Sequence, residues 1–174
     1  TWRDTEYQNG KGFCYTEALD TKKLMETLGD DYVLLFRAHH QCGLSNVIKE
    51  TPGVIDVTSA DDVNDLYIIS DMMITDYSST MFDYANLHRP MIFYMYDLDE
   101  YKNDIRGFYM DLDELPGPIV KTQEELTKSI QTLSTDFTYN QAYKDFNGKF
   151  NPLDDGNAAE RATSKCISLL PHRK

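Results

Sequence analysis

The sequence predicts an α/β fold built on a doubly wound parallel sheet. Three observations carry that prediction. Continuous apolar runs of strand length recur along the chain, segments of helical periodicity separate them, and polar clusters begin where the apolar runs stop. Strands covered on both faces are apolar throughout rather than alternating, and parallel strands need a crossover between them.

The elements follow in order. Thr16 to Leu28 has helical spacing, with Leu19, Leu24, Met25 and Leu28 as its apolar stripe, and Gly29-Asp30-Asp31 ends it. Tyr32-Val33-Leu34-Leu35-Phe36 is the first strand, and Arg37-Ala38-His39-His40 follows at once. A short helix over Leu44 to Lys49 precedes the Pro52-Gly53 break, and Val54 to Val57 is the second strand. Asp61-Asp62 opens a helix through Leu66, Ile68 and Ile69. Met72 to Thr75 is the third strand, and a helix from Ser79 to Leu87 is stopped by Pro90. Met91 to Tyr96 is the fourth strand, and Asp97 to Asn103 a short helix. Arg106-Gly107-Phe108-Tyr109 opens an irregular stretch, Pro116-Gly117-Pro118 is a turn, and Ile119-Val120 is a brief edge strand. Thr122 with Glu125 forms a capping box for a helix to Leu133. Helices over Asn140 to Asn147 and Asn157 to Leu170 complete the chain.

Composition narrows the function. A length of 174 residues suits one domain with a sizeable core. The formal net charge of −12 argues against nucleic acid or an anionic membrane as a partner gripped by the general field, although a local Arg/His cluster can still hold one phosphate. Cys14, Cys42 and Cys166 are far apart and odd in number, which fits a reducing compartment better than a disulfide framework or a zinc site. No apolar run approaches membrane-spanning length; Met91 to Tyr96 is among the longest. Thr1-Trp2-Arg3-Asp4 has the character of mid-chain sequence, so the chain is expected to be a fragment of a longer protein.

Ligands of such sheets bind beyond the carboxyl ends of the strands. Arg37-His39-His40 and Thr75-Asp76-Ser78-Ser79 both follow strands and are expected on that one rim. Ser78 and Ser79 at a helix N-terminus suit an anion, through backbone N–H groups, the helix dipole and two hydroxyls. By themselves they suit a capped helix with no ligand somewhat better. Arg106 and Arg37 each fit either bidentate phosphate recognition or an ion pair, the former with Asp104, Asp111 or Asp113. Asp76 fits a loop-fixing role, and Asp83 either orients a site hydroxyl or packs within its helix. His40 points away from His39 if the strand continues, and His88 and His172 suit the surface. Phe93, Tyr94, Tyr96, Tyr101, Phe108 and Tyr109 suit core packing more than base stacking. Ser78 has no adjacent base and no Gly-x-Ser-x-Gly elbow, and no calcium-loop or His-Cys metal spacing is present. A receiver-like reading of Asp61, Asp62 and Asp76 lacks a lysine placed after a strand.

Several pieces, in order, resemble the CDP-glycerol glycerophosphotransferase family, the teichoic-acid primases and polymerases. They are Thr1-Trp2-Arg3-Asp4, Arg37-x-His39, Thr75-Asp76-Tyr77-Ser78-Ser79 with Phe82-Asp83-Tyr84, Arg89-Pro90, Phe93-Tyr94-x-Tyr96-Asp97, Tyr101, Arg106-Gly107-Phe108-Tyr109, Pro116-Gly117-Pro118 and Asp154-Asp155-Gly156-Asn157-Ala158. The resemblance implies the Rossmann-like, C-terminal nucleotide-binding half of a GT-B fold, with residues 1–174 as one CDP-alditol-binding domain. It implies transfer of glycerol phosphate from CDP-glycerol (CDP-ribitol in close relatives) to a polyol-phosphate acceptor on a lipid carrier, with release of CMP and no cofactor. A non-catalytic nucleotide-binding module with the same fold is the alternative. The site it implies has His39 as the catalytic residue, with Arg3, Arg37, Thr58, Thr75, Asp76, Ser78, Ser79 and Arg106 binding substrate. The cytosine is expected against the backbone near Val57 and Thr58. The full-length protein is expected in the cytoplasm, peripheral on the inner face of the membrane. The chain departs from the family in two ways: relatives have an apolar, central strand just ahead of the position of Thr1, and often Pro where this chain has His40.

Overall fold

A computed structural model describes residues 19–38, 51–105 and 107–170. Their elements are α1 (Thr21–Leu28), β1 (Leu34–Phe36), β2 (Val54–Asp56), α2 (Val63–Ile69), β3 (Met73–Thr75), α3 (Thr80–Ala85), β4 (Met91–Tyr94), α4 (Leu98–Glu100), β5 (Ile119–Val120), α5 (Gln123–Asp136), α6 (Gln141–Phe150) and α7 (Ala158–Ser168). A π-helical turn over Tyr101–Ile105 continues α4, and a 3-10 turn covers Leu112–Glu114.

Every pairing among these strands is parallel. Leu34 lies opposite Val54, Met73 opposite Met91, and Phe93 opposite Ile119. The expected α/β class and strand runs are therefore present. The strands form two hydrogen-bonded sheets, β1–β2 and β3–β4–β5, where one was expected. Among the described residues the division falls between β2 and β3.

β4 shows how the core is built. All four of its residues are buried, and they alternate between two clusters. Met91 and Phe93 pack with Tyr67 of α2, Tyr84 and Ala85 of α3, and Tyr143 and Phe146 of α6. Ile92 and Tyr94 pack with Leu24 of α1, Val120 of β5, and Leu126 and Ile130 of α5. Helices thus cover both faces, which is why the run is apolar throughout. Each such side chain contributes about 1.5–3 kcal/mol on full burial. Leu34 and Ile74 join the second cluster, so β1 and β3 share a core without sharing a sheet.

The amino-terminal edge of β3–β5 forms a closed floor. The Arg89 guanidinium donates to the carbonyls of Ile68 (2.8 Å) and Ser70 (2.6 Å) at the end of α2. The Tyr84 hydroxyl also donates to Ser70 O (2.9 Å), and Tyr143 donates to Arg89 O (2.8 Å). Burial pushes the Tyr84 phenol up to about 12. Gly117 lies flat against β4: a Cβ there would sit 2.0 Å from the Met91 carbonyl oxygen. Arg89-Pro90 and Pro116-Gly117-Pro118 are therefore floor residues.

Within the expected span Thr16 to Leu28, the described helix is Thr21–Leu28; the Asp20 side chain accepts from the Lys23 N–H and caps it there, and residues 16–18 lie outside the described residues. Leu19, ahead of the cap, still packs on the core. The helix expected over Leu44 to Lys49 lies outside the described residues. The last helix, α7, has no buried residue; Ile167, Leu169 and Leu170 at its end are 62%, 71% and 65% exposed. Among the described residues no helix is long and apolar enough to cross a membrane.

Candidate functional site

The carboxyl rim holds the sequence-predicted residues that the structure describes. Residues 76–79 run from β3 into α3 as an irregular turn. Ser79 occupies the N-cap position of α3, but its backbone is already helical (φ −64°, ψ −10°) and its hydroxyl makes no capping hydrogen bond. Ser78 Oγ accepts from the Thr80 N–H only at 3.4 Å. Ser79 therefore does not cap the helix, and Ser78 does so only through that long contact. A capping side chain needs extended backbone to fold back on the N–H groups ahead of it, and Ser79 lacks it. Ser79 is exposed, while Thr75, Asp76, Tyr77 and Ser78 are half-buried.

The ends of β1 and β2 form a second part of the rim. Val57 N–H donates to Phe36 O (2.8 Å), and Ala38 N–H donates to Thr58 Oγ1 (3.0 Å). Thr58 N–H in turn donates to the Asp56 carboxylate (2.8 Å). The Thr58 hydroxyl and N–H beside Asp56 hold its carboxyl below the usual carboxylate range. Thr58 is thus the knot that ties the two strand ends together. Arg37, exposed, donates to Ala60 O (2.8 Å). One contact engages part of a five-donor guanidinium, so Arg37 is a loop tie with donors left for a ligand.

Arg3, His39, His40 and Arg106 lie outside the described residues, as do Cys14 and Cys42. Asp83 borders a shallow recess with Asn64, Tyr67 and Asn86, on the α2–α3 side. Burial, and then the Asp83 charge, raise the Tyr67 phenol. His88 is exposed and stacks on Tyr139 (4.1 Å). Phe93, Tyr94 and Tyr101 are buried, as core packing requires, whereas Tyr109 is fully exposed. Among the described residues no group of three His, Cys, Asp or Glu side chains is placed to hold a metal ion.

Sequence reasoning missed one arrangement. The Tyr77 hydroxyl donates to Asp97 Oδ1 (2.8 Å), and its ring stacks on Tyr101 with centroids 3.7 Å apart and planes 11° apart. Phe108 leans on both rings, at 5.7 and 5.6 Å. Asp97 stands at the N-cap of α4, yet its side chain makes no cap bond there. These residues carried the family resemblance, but their pairing across two strand-end loops has no local sequence signal.

Comparison with known proteins places this rim in context. The sequence profile of CDP-Glycerol:Poly(glycerophosphate) glycerophosphotransferase matches residues 1–167. The chain is 43% identical over 163 residues to a teichoic acid glycerol-phosphate transferase of Staphylococcus aureus, covering 92% of this chain and 42% of the relative. It is 35% identical over 167 residues to a teichoic acid poly(glycerol phosphate) polymerase of Bacillus subtilis, covering 94% of this chain and 22% of the relative. It therefore spans less than half the length of either. Among solved structures, the wall teichoic acid polymerase TagF, in a variant soaked with CDPG, matches with a TM-score of 0.80 and 38% identity over 97% of this chain and 41% of that one. The parallel α/β rim, the ordered motifs along it and these matches agree, and the chain belongs to the CDP-glycerol:poly(glycerophosphate) glycerophosphotransferase family.

Proposed function

We propose that residues 1–174 form one CDP-alditol-binding domain, the C-terminal part of a longer enzyme that transfers glycerol phosphate from CDP-glycerol to a polyol-phosphate acceptor. The observation that carries this reading is the serine pair at the turn from β3 into α3, with the Ser79 hydroxyl making no cap bond, in a chain of this family. The acceptor hydroxyl oxygen attacks the phosphorus that bears glycerol, the bond from that phosphorus to the bridging oxygen breaks, and CMP leaves. Such a reaction needs charge neutralisation on the diphosphate and a held geometry. In this reading Ser78, Ser79 and the N–H groups beside them bind non-bridging oxygens, with Thr75 and Asp76 fixing the turn. Arg37, Arg3 and Arg106 supply guanidinium charge, and the cytosine lies against the backbone at Val57 and Thr58. His39 binds the diphosphate or protonates departing CMP. The acceptor, on a lipid carrier at the inner face of the membrane, is held by the rest of the polypeptide. CDP-ribitol is the competing donor.

Two measurements test the reading. Calorimetry on this chain is expected to show weak binding of CMP and CDP-glycerol; a folded chain that ignores both at millimolar concentration would refute donor binding. In the full-length enzyme His39→Ala is expected to abolish CMP release while circular dichroism stays unchanged. Turnover retained by that variant would remove His39 from the chemistry. Running CDP-glycerol and CDP-ribitol side by side identifies the donor.

A further inference from the structure

The turn after β3 is four residues long. Ser78 contacts Thr80 and Met81, each at 3.4 Å, and Ser79 O accepts from Phe82 N–H at 3.0 Å. A donor cradle works only if its N–H groups and hydroxyls are already aimed before the ligand arrives, because reorganisation on binding subtracts from affinity. A rigid anchor on a turn residue serves that end. Tyr77 is the residue directly before Ser78. Its ring is clamped face to face against Tyr101, which is only 5% exposed, and its hydroxyl is anchored to the carboxylate of Asp97.

The anchor is itself well held. Asp97 O accepts from the Tyr101 N–H (2.9 Å), so the carboxylate and the stacking ring belong to one backbone unit. That unit opens into the π-helical turn Tyr101–Ile105, and Gly107, at φ 68°, donates back to Tyr101 O (3.3 Å). π-turns are rare and concentrate at functional sites. Asp97 occupies a helix N-cap position, where its carboxylate would normally bond to a backbone N–H of α4; it bonds to Tyr77 instead.

We propose that Tyr77, held by Asp97 and Tyr101, is a positioning residue that sets the Ser78–Ser79 turn for a diphosphate and couples it to the segment 101–108. This rests on the reading of that turn as the diphosphate cradle. Tyr77 and Asp97 act through the serines and the backbone beside them. Loss of the phenol–carboxylate bond therefore weakens the diphosphate contacts and leaves the nucleoside contacts near Thr58 untouched.

The test uses the full-length enzyme with CDP-glycerol and cytidine as separate probes. Tyr77→Phe keeps the ring stack and removes the hydroxyl. It is expected to raise the Kd for CDP-glycerol about tenfold, with cytidine affinity unchanged and only the modest fall in Tm that loss of one internal hydrogen bond brings. Asp97→Asn retains an acceptor oxygen and is expected to stay within about threefold of the parent, whereas Asp97→Ala matches Tyr77→Phe. The double variant Tyr77→Phe/Asp97→Ala is expected to lose less affinity than the two single losses combined, since the phenol–carboxylate bond is common to both. Unchanged CDP-glycerol affinity in Tyr77→Phe, with affinity still lost in Ser78→Ala/Ser79→Ala, overturns the brace and leaves the cradle standing. Unchanged affinity in both the tyrosine and the serine variants overturns the cradle and the brace together. Equal loss for CDP-glycerol and cytidine shows Tyr77 to be a general structural residue and also overturns the brace.

Discussion

At the amino-terminal edge of β3–β5, Arg89 covers the carbonyls that end α2, two tyrosine hydroxyls reach backbone oxygens, and Gly117 closes onto Met91 without room for a methyl group. At the carboxyl edge, Ser79 stands at a helix N-cap and caps nothing. The contrast repeats within the rim. After β5, Thr122 and Glu125 form a complete capping box, Thr122 accepting from Glu125 N–H (3.2 Å) and Glu125 from Thr122 N–H (3.0 Å). The first turn of α5 is closed by two reciprocal side-chain bonds; that of α3 has one long side-chain contact, Ser78 Oγ with Thr80 N–H. At a tightly capped helix start a substitution is expected to alter folding. At the loosely capped start beside β3 it is expected to alter what binds.

The largest expected effect is on the floor. Gly117→Ala forces a Cβ onto the Met91 carbonyl oxygen and is expected to cost about 3 kcal/mol, the upper end for overpacking. A denaturant midpoint measures it, and CDP-glycerol affinity of the folded fraction stays unchanged. Alkali probes the same edge without a substitution. The Tyr84 phenol is raised by burial from 10.0 to about 12. Its contribution is complete below pH 10, where both states are neutral, and is lost as pH climbs from 10 towards 12, where the unfolded chain ionises first. Tyr84→Phe should flatten that part of the stability profile; an unchanged slope would mean another group governs it.

Changes at the rim are expected to invert the pattern. Ser78→Ala/Ser79→Ala removes two hydroxyls and is expected to lower CDP-glycerol affinity at least tenfold, about 1.4 kcal/mol, while cytidine binding barely changes. Because neither serine makes a good cap bond, stability should move by less than about 0.5 kcal/mol. Equal loss for both ligands, or none, would show a plain strand-to-helix turn. Thr122→Ala is the matched control with the smallest effect: about 1 kcal/mol of stability, read by thermal melting, and no change in affinity. A binding defect there would erase the distinction between the two helix starts.

What the sequence made legible depends on how local the cause is. The buried strand Met91–Tyr94 and the Thr122–Glu125 box were readable because each follows from residues a few positions apart. The break at Asp20 was not legible, because the cap that starts α1 at Thr21 is a matter of one side-chain bond. The serines marked the turn into α3, but not that the Ser79 hydroxyl leaves the cap bond unmade, since its backbone angles are set by how β3 meets α3. The Tyr77–Asp97 contact and the Arg89 cover over α2 span 20 and about 20 residues, and only the packed sheet brings them together. The hydrogen-bonded division of the described strands into β1–β2 and β3–β4–β5 was not legible, because apolar runs mark strands but not which of them pair.

That division bears on local opening. A two-stranded pair of three-residue strands is marginal by itself, and among the described residues β1–β2 meets the core through few side chains, with Ile55 51% exposed. β4, fully buried between two partners, opens only when the whole fold does. Amide exchange should accordingly be fast in β1 and β2 and slow in β4. Thr58 hangs from the soft pair and Ser78 from the firm one, so a ligand touching both would clamp a hinged jaw against a fixed one. Its grip would register first as exchange protection spreading through Leu34–Phe36.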